Sequence, residues 1–336
     1  MSKNQQPVHD RLENSLPGIV YKKYTGLYTI QSAGQMLLCE LSPRLRTTLS
    51  AEHGGHHHAL EHLDPLVVGD EVRFIPSPGS NGLIIELLPR RNQFSRRSAV
   101  PMPTARPHEQ VIAANVDQVV PVFAVADPTP KWNLLDRYLV AAETAGLPCS
   151  ICITKLDLLD TSSEQMRAEL EAALCEYQRI GYPVYRVCAQ TGQGVNEVKQ
   201  ALNGKVSVLV GKSGVGKTSL LNALQPGLGL RVNAVSQATG KGKHTTTAME
   251  MFPLEFEAGG AIIDTPGVRE FGLWVEDEQN LDWLFPEMRP FLAGCRFGLD
   301  CRHEQEPGCR VRQAVTEGQI SLRRWQSFVQ LSREVG

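Results

Sequence analysis

Val206-Ser-Val-Leu-Val210 runs directly into Gly211-Lys212-Ser213-Gly214-Val215-Gly216-Lys217-Thr218, and Lys217-Thr-Ser-Leu-Leu-Asn-Ala-Leu224 follows with helical apolar spacing. The order is a buried strand, a glycine-rich turn of the form G-x-x-x-x-G-K-[ST], then a helix N-terminus. Glycines let the backbone fold its N–H groups, from Gly211 to Ser219, inward around a polyphosphate, and the helix dipole adds attraction for the anion. Lys217 would reach the β- and γ-phosphates, and the Thr218 hydroxyl would hold Mg²⁺. This stretch predicts a nucleotide site.

Downstream, Gly260-Ala-Ile-Ile-Asp264 is a short buried strand ending in Asp264-Thr-Pro-Gly267. A carboxylate there can hold Mg²⁺ through its water shell, and the Gly267 N–H can sense a γ-phosphate. Between the two motifs, Gly240-Lys-Gly-Lys-His-Thr-Thr-Thr247 offers a run of hydroxyls. It suits a switch that orders when Thr246 meets Mg²⁺ and the γ-phosphate, with His244 a candidate catalytic group.

Upstream, the pattern alternates strands and helices, the signature of a parallel α/β sheet. Val119–Val125, Cys149–Thr154 and Pro183–Cys188 are strands. Leu134, Leu135, Tyr138, Leu139 and Ala142 share one helix face, and Thr161-Ser-Ser-Glu164 reads as the capping box of the next helix. Thr154-Lys-Leu-Asp157 ends the second strand as a guanine-selecting loop: the Asp157 carboxylate can accept both the ring N1–H and the exocyclic amine, a pairing adenine cannot offer. Lys155 would lie along the base face. Thr154 stands where many such motifs have Asn and keeps only part of its bonding capacity. Cys188-Ala-Gln-Thr-Gly-Gln-Gly194 supplies a second loop, with the Ala189 N–H directed to the guanine carbonyl. Cys188 is equally a small buried residue ending a strand.

The 336 residues allow two or three domains, and 42% hydrophobic with 21% charged residues is a globular balance. A net charge of −2 excludes a uniformly basic polyanion binder, yet five arginines fall between Arg90 and Arg106. The polar start lacks a signal-peptide core, no run approaches a membrane helix, and eight cysteines without a secretory signal indicate a cytoplasmic protein with thiols or metal ligands.

Up to residue 105 the runs Gly18–Tyr21, Leu27–Ile30, Gln35–Leu41, Asp70–Ile75 and Gly82–Leu88 are short and β-rich. They predict a small OB-fold barrel, a candidate RNA-binding domain. His53, His56, His57, His58 and His62 lie in a glycine-rich segment that reads as a solvated loop, with a metal site the other reading. Pro89–Arg97 and the proline-rich Pro101–Pro107 are either a solvated linker or a phosphate-contacting strip with Phe94 available for stacking.

Near the end, Cys295, Cys301, His303 and Cys309 form C-x5-C-x-H-x5-C. Three thiolates and an imidazole are a closed tetrahedral Zn²⁺ set, hence structural. Leu322, Trp325 and Val329 predict a terminal helix with Arg323 and Arg324 exposed.

The guanine-reading loops precede the phosphate loop, and D-x-x-G comes last: a circular permutation of the Ras-like order. With a barrel in front and a Cys-Cys-His-Cys knuckle behind, the chain resembles the RsgA (YjeQ) family over nearly its whole length. Cys188, the x5 gap between Cys295 and Cys301, and the histidine-rich insertion depart from that family's pattern.

The resemblance implies a multidomain protein: an OB-fold β-barrel (1–105), a circularly permuted α/β P-loop GTPase domain (106–275) and a C-terminal α-helical zinc-knuckle module (276–336). It implies a monomeric GTPase that matures the small ribosomal subunit, binding that subunit and its rRNA, with GTP/GDP, Mg²⁺ and one Zn²⁺. Lys217, Thr246 and His244 would be catalytic, and Thr218, Thr246 and Asp264 would hold Mg²⁺.

Val268 occupies a position where many GTPases carry a water-orienting Gln, so intrinsic hydrolysis should be slow and subunit-stimulated. The segment after Gly267 leads within about thirty residues into the zinc module, close enough for the sensor to move it. A non-catalytic, guanine-nucleotide-gated RNA-binding assembly chaperone is the alternative. A small-metabolite P-loop kinase is disfavoured by Thr154-Lys-Leu-Asp157.

Overall fold

The computed structural model describes residues 14–24, 26–52, 65–77, 81–98, 108–230, 249–265, 271–275 and 278–335. The histidine cluster at 53–62, the proline-rich 101–107, His244, Thr246, Gly267 and Val268 lie outside the described residues.

The N-terminal strands β1 (Leu16–Lys23), β2 (Leu27–Ser32), β3 (Gln35–Leu41), β4 (Glu71–Ser77) and β5 (Asn81–Leu87) are ordered β1-β2-β3-β5-β4, and β4 pairs back with β1 to close an OB-fold barrel. The β3–β5 pair is parallel and the others antiparallel. Alternation along the strands sends Val20, Tyr28, Ile30, Val72, Phe74 and Ile84 into its core. A helix that the sequence reading did not anticipate, α1 (Pro43–Glu52), connects β3 towards β4. Its first turn is held by Ser42, whose hydroxyl accepts the Leu45 N–H at 3.2 Å.

The second unit is a sheet ordered β10-β9-β8-β11-β13-β12, from β8 (Gln118–Ala124), β9 (Ile151–Thr154), β10 (Val184–Arg186), β11 (Val206–Val210), β12 (Glu250–Pro253) and β13 (Ala261–Asp264). All pairings are parallel except β12–β13. Every residue of β8 is buried, because both faces of a parallel sheet are covered by helices. Val119, Phe123 and Val125 face the side packed by α2 (Trp132–Thr144) and α3 (Glu164–Ile180). Val120, Val122 and Ala124 face α4 (Val195–Leu202) and α5 (Lys217–Leu224). The cap of α3 is Ser163, whose Oγ accepts the Met166 N–H at 3.2 Å. Thr161 instead donates to the Leu158 carbonyl, since the chain turns through a 3₁₀ segment before the helix begins two residues later than the capping-box reading requires.

Between the units, β6 (Gln93–Arg97) pairs antiparallel with β7 (Glu109–Ala114). The arginine-rich stretch is thus a strand that fixes the barrel to the sheet. Phe94 is fully buried and stacked 5.8 Å from Phe271, so it is not available for stacking on a base. Arg90 pairs with buried Asp70 at 2.7 Å, and Arg91 with Asp117 at 3.2 Å.

The C-terminal module carries a 3₁₀ turn at Glu278–Leu284 and helices α6 (Arg289–Leu292), α7 (Arg310–Thr316) and α8 (Leu322–Val335). It packs on α2 and α3. Arg324 is fully buried, not exposed as its helical position suggested: its guanidinium meets Asp136 at 2.6 Å and Glu287 at 2.6 Å. Arg323 is partly covered, bonded to Glu176 at 2.5 Å and to the Tyr177 hydroxyl at 2.9 Å. The apolar pattern misleads there because the face turned to the sheet unit is lined by carboxylates.

Candidate nucleotide site and metal centre

The phosphate loop leaves β11 so tightly that a Cβ at Gly211 would stand 2.4 Å from the Val122 carbonyl oxygen. Gly216, at φ +95°, is the N-cap of α5, a left-handed position that other residues adopt only with strain. The Lys217 ammonium is folded back along the loop, donating to the Gly211 carbonyl at 2.8 Å and the Lys212 carbonyl at 3.3 Å. Burial lowers its pKa and the nearby Asp264 carboxylate opposes that shift. Asp264 is itself buried at the C-terminal end of β13, with Thr265 donating its hydroxyl to the Leu209 carbonyl at 2.8 Å. Thr218 and Ser219 lie half-buried in the first turn of α5, and Ser213 is exposed on the turn.

The guanine-loop candidates converge on the same edge. The Thr154 hydroxyl bonds the Val215 carbonyl within the phosphate loop, so this threonine braces the loop directly. Lys155 sits at φ +60° with its ammonium on the Asp127 carbonyl, and burial lowers its pKa. The Cys188 thiol lies 3.3 Å from Asp157 Oδ1, the hydrogen bond a serine would make there. Its loop is closed by the Cys188 N–H to the Gln193 carbonyl and the Gly192 N–H to the Cys188 carbonyl, both 2.9 Å, leaving Ala189 half-buried at the turn. Two short strands and a turn thus hold one carboxylate beside a polyphosphate cradle.

In the C-terminal module the ligand atoms of Cys295, Cys301, His303 and Cys309 all lie within 4.8 Å of one another, and all four residues are buried. His303 Nδ1 is 3.6 Å from Cys295 Sγ and 3.3 Å from Cys309 Sγ. His303 Nε2 meets Asp282 Oδ2 at 3.0 Å, the outer carboxylate that fixes a ligating imidazole's tautomer. Soft donors converging at tetrahedral edge lengths, with that outer support, fit a structural zinc ion. Cys309 also caps α7, its Sγ accepting the Arg312 N–H.

A family model described as RsgA GTPase matches residues 87–274. A protein of Ectopseudomonas mendocina (strain ymp), the small ribosomal subunit biogenesis GTPase RsgA, is 45% identical over 271 residues, covering 81% of this chain and 75% of its own. This chain belongs to the RsgA GTPase family. The RsgA of Gemmatimonas aurantiaca is 39% identical over 96% of this chain and 99% of its own. Among solved structures, YjeQ from Thermotoga maritima is similar at 31% identity and a TM-score of 0.69, covering 96% of this chain and 98% of its own. YloQ, described as a circularly permuted GTPase, is similar at 26% identity and a TM-score of 0.64, covering 99% and 98%.

Two supports in this RsgA-family chain escape sequence reading. Asp282 stands thirteen residues before the first zinc ligand with no spacing to mark it. The Asp127 carbonyl is a backbone group, visible only once β8 and β9 are paired.

Proposed function

We propose that this chain is a GTPase that binds the small ribosomal subunit through its rRNA, assists its maturation as a monomer in the cytoplasm, and hydrolyses GTP faster once docked. The observation that carries the reading is the Asp157 carboxylate held by Cys188 on a loop whose Thr154 also braces the phosphate loop. Such a carboxylate selects guanine, and the bracing ties base recognition to the phosphates. Asp157 takes the base edge, Lys155 its face, and the Ala189 N–H its carbonyl. The backbone from Gly211 to Ser219 cradles the phosphates, and Gly267 senses the γ-phosphate.

Thr218, Thr246 and Asp264 would hold Mg²⁺, which supplies charge neutralisation across the β- and γ-phosphates. Lys217 leaves its loop carbonyls for the phosphate oxygens, where charge accumulates as water attacks in line. His244 and Thr246 complete the site on the docked protein. The expected division at residues 105 and 275 gives barrel, GTPase and zinc module separate contacts on the subunit. The relatives' names, small ribosomal subunit biogenesis GTPase, support the partner.

Titration with GDP, ADP and xanthosine diphosphate tests the base assignment. GDP should exceed ADP by about 10⁴-fold, and Asp157→Asn should transfer the preference to xanthosine diphosphate. Adenine preference, or an Asp157→Asn protein that still favours guanine, sinks it. GTP turnover should rise on adding small subunits and not large ones; equal rates would remove the stimulated step.

A further inference from the structure

Cys301, His303 and Cys309 come from one loop, and that loop is wound around the side chain of a residue outside the ligand set, Glu306. Glu306 Oε1 accepts the Arg302 N–H at 3.1 Å, and Oε2 accepts the N–H groups of Glu304 at 2.9 Å and Gln305 at 3.1 Å. Its main-chain carbonyl accepts the Cys309 N–H at 3.3 Å. The Arg302 N–H belongs to the peptide that Cys301 begins, and the Glu304 N–H to the one that His303 begins. A single residue is therefore bonded beside every ligand of the loop. Cys295 stands apart, entering from the end of α6 with its N–H on the Leu292 carbonyl at 3.2 Å.

This bonding offsets a strained backbone. His303 sits at φ +59°, the left-handed region that a β-carbon disfavours. A histidine stays there only where its surroundings hold it. The Glu306 carboxylate gathers N–H groups on both sides of it, and the His303 carbonyl takes the Trp325 indole N–H at 2.8 Å. Backbone N–H groups turned towards a common anion form a nest, filled here by the chain's own carboxylate. Partial burial works against that charge, but the backbone bonds outweigh it and hold the Glu306 carboxyl below the ordinary glutamate range. Glu304, two residues earlier, bonds its carboxylate to Arg333 of α8 instead, at 2.8 Å.

We propose that Glu306 is the positioning residue of the metal centre: its carboxylate gathers the backbone around His303 and so sets Cys301, His303 and Cys309 at the spacing of a tetrahedral zinc ion. The proposal rests on the zinc reading of these ligands and adds the group that shapes their loop, where Asp282 orients one imidazole. A loop already shaped gives up less conformational freedom when the ion binds, which raises affinity. Because Cys295 is held separately, losing the Glu306 carboxylate should loosen three ligands and leave the fourth in place.

The test compares Glu306→Ala, Glu306→Gln and Glu304→Ala in the full chain, by chelator competition for Zn²⁺ and by absorption of the Co²⁺-loaded proteins. GDP affinity within about two-fold of the parent reports a folded GTPase unit in each. Glu306→Ala should bind Zn²⁺ about 10–100-fold more weakly, and its Co²⁺ bands should lose the intensity of a regular tetrahedral site. Glu306→Gln keeps one accepting oxygen but sets an amide donor against the remaining N–H groups, so its affinity should fall between those of Glu306→Ala and the parent. Glu304→Ala removes the same charge from the same loop and should stay within about two-fold of the parent, since it breaks only an exposed ion pair. Parental affinity and spectrum in Glu306→Ala overturn the proposal. So does an equal loss in Glu304→Ala, which would make the effect one of charge rather than placement. A parent chain that takes up neither Zn²⁺ nor Co²⁺ overturns the zinc reading instead.

Discussion

The barrel and the zinc module each have an arginine at the joint with the GTPase unit, half-buried Arg90 and fully buried Arg324, but they are fastened by different means. At the barrel, Arg90 holds Asp70 while neutral bonds that end on backbone carbonyls do much of the work. The Ala114 N–H bonds the Val68 carbonyl at 3.1 Å, Asn115 Nδ2 bonds the Gly69 carbonyl at 3.0 Å, and Asn92 Nδ2 bonds the Val116 carbonyl at 2.8 Å. At the zinc module the polar connections run between side chains: Arg324 to Asp136 and Glu287, Arg323 to Tyr177 and Glu176, Arg289 to Glu143 at 2.7 Å. A mesh shared between the main chain and uncharged amide side chains survives the loss of one member without stranding a charge. A joint of charged side chains depends on each member, because removing one strands its partners in low dielectric.

With a zinc ion on its four ligands, the module would also depend on its metal. Trp325 on α8 donates its indole N–H to the His303 carbonyl at 2.8 Å, and Arg324 beside it carries the link to Asp136 on α2. A zinc ion held there would therefore fix the shape of the surface that α8 rests on. Structural zinc sites carry apparent binding free energies of about 10–16 kcal/mol, far above any single contact here. Stripping the metal with a chelator should abolish amide-exchange protection over residues 295–335, leave β8 and β11 protected, and preserve GDP binding. Retained protection in α7 and α8 would show that the joint, and not the metal, organises the module.

The next effect separates the two joints. Arg324→Ala leaves Asp136 and Glu287 without their shared cation, a change expected to cost about 3–5 kcal/mol. Arg90→Ala strands Asp70, which keeps the Val67 N–H at 2.8 Å, and should cost about 1–3 kcal/mol. Under hydrogen exchange the first should open α8 locally, whereas the second should lower global stability with the barrel still docked. Equal costs with equal local opening would erase the distinction between the joints.

What the sequence disclosed follows the same division. The phosphate loop, Asp264, the guanine loops and the zinc ligands announce themselves because their chemistry demands fixed residue types at short spacing. The strand β8 was legible because its continuous apolar run needs cover on both faces. The hairpin of β6 and β7 was not: Arg96, Arg97 and Gln93 give it a polar surface, and its partner strand begins only at Glu109, beyond a proline-rich stretch. Buried Arg324 was hidden for a related reason. Its partners are 188 and 37 residues away, and no local periodicity encodes a carboxylate contributed by another element.

The expected coupling of the γ-phosphate sensor to the zinc module is also refined by distant packing. After the sensor, Phe271 is locked between Phe94 and Tyr138, and Gly272 pairs with Arg97. Among the described residues, the first fixed point beyond Gly267 is therefore the hairpin that also holds the barrel.

The smallest expected effect lies where the barrel touches the edge of the GTPase sheet. Strand β1 meets β12 at one register pair, Lys22 opposite Glu250, with their side chains 2.8 Å apart and 26% and 32% exposed. Water and salt screen such a pair, which should contribute less than about 1 kcal/mol. Its hydrogen bond to Glu250 raises the Lys22 pKa. A raised lysine value means the stabilisation is fully present at neutral pH and fades as pH climbs through the folded-state value. Lys22→Ala should accordingly shift the urea midpoint only slightly, and the difference from the parent should shrink in molar salt and vanish in strong alkali. A loss comparable to that of Arg90→Ala, insensitive to salt, would mean that the edge contact, not the mesh of main-chain and asparagine bonds beside it, secures the barrel.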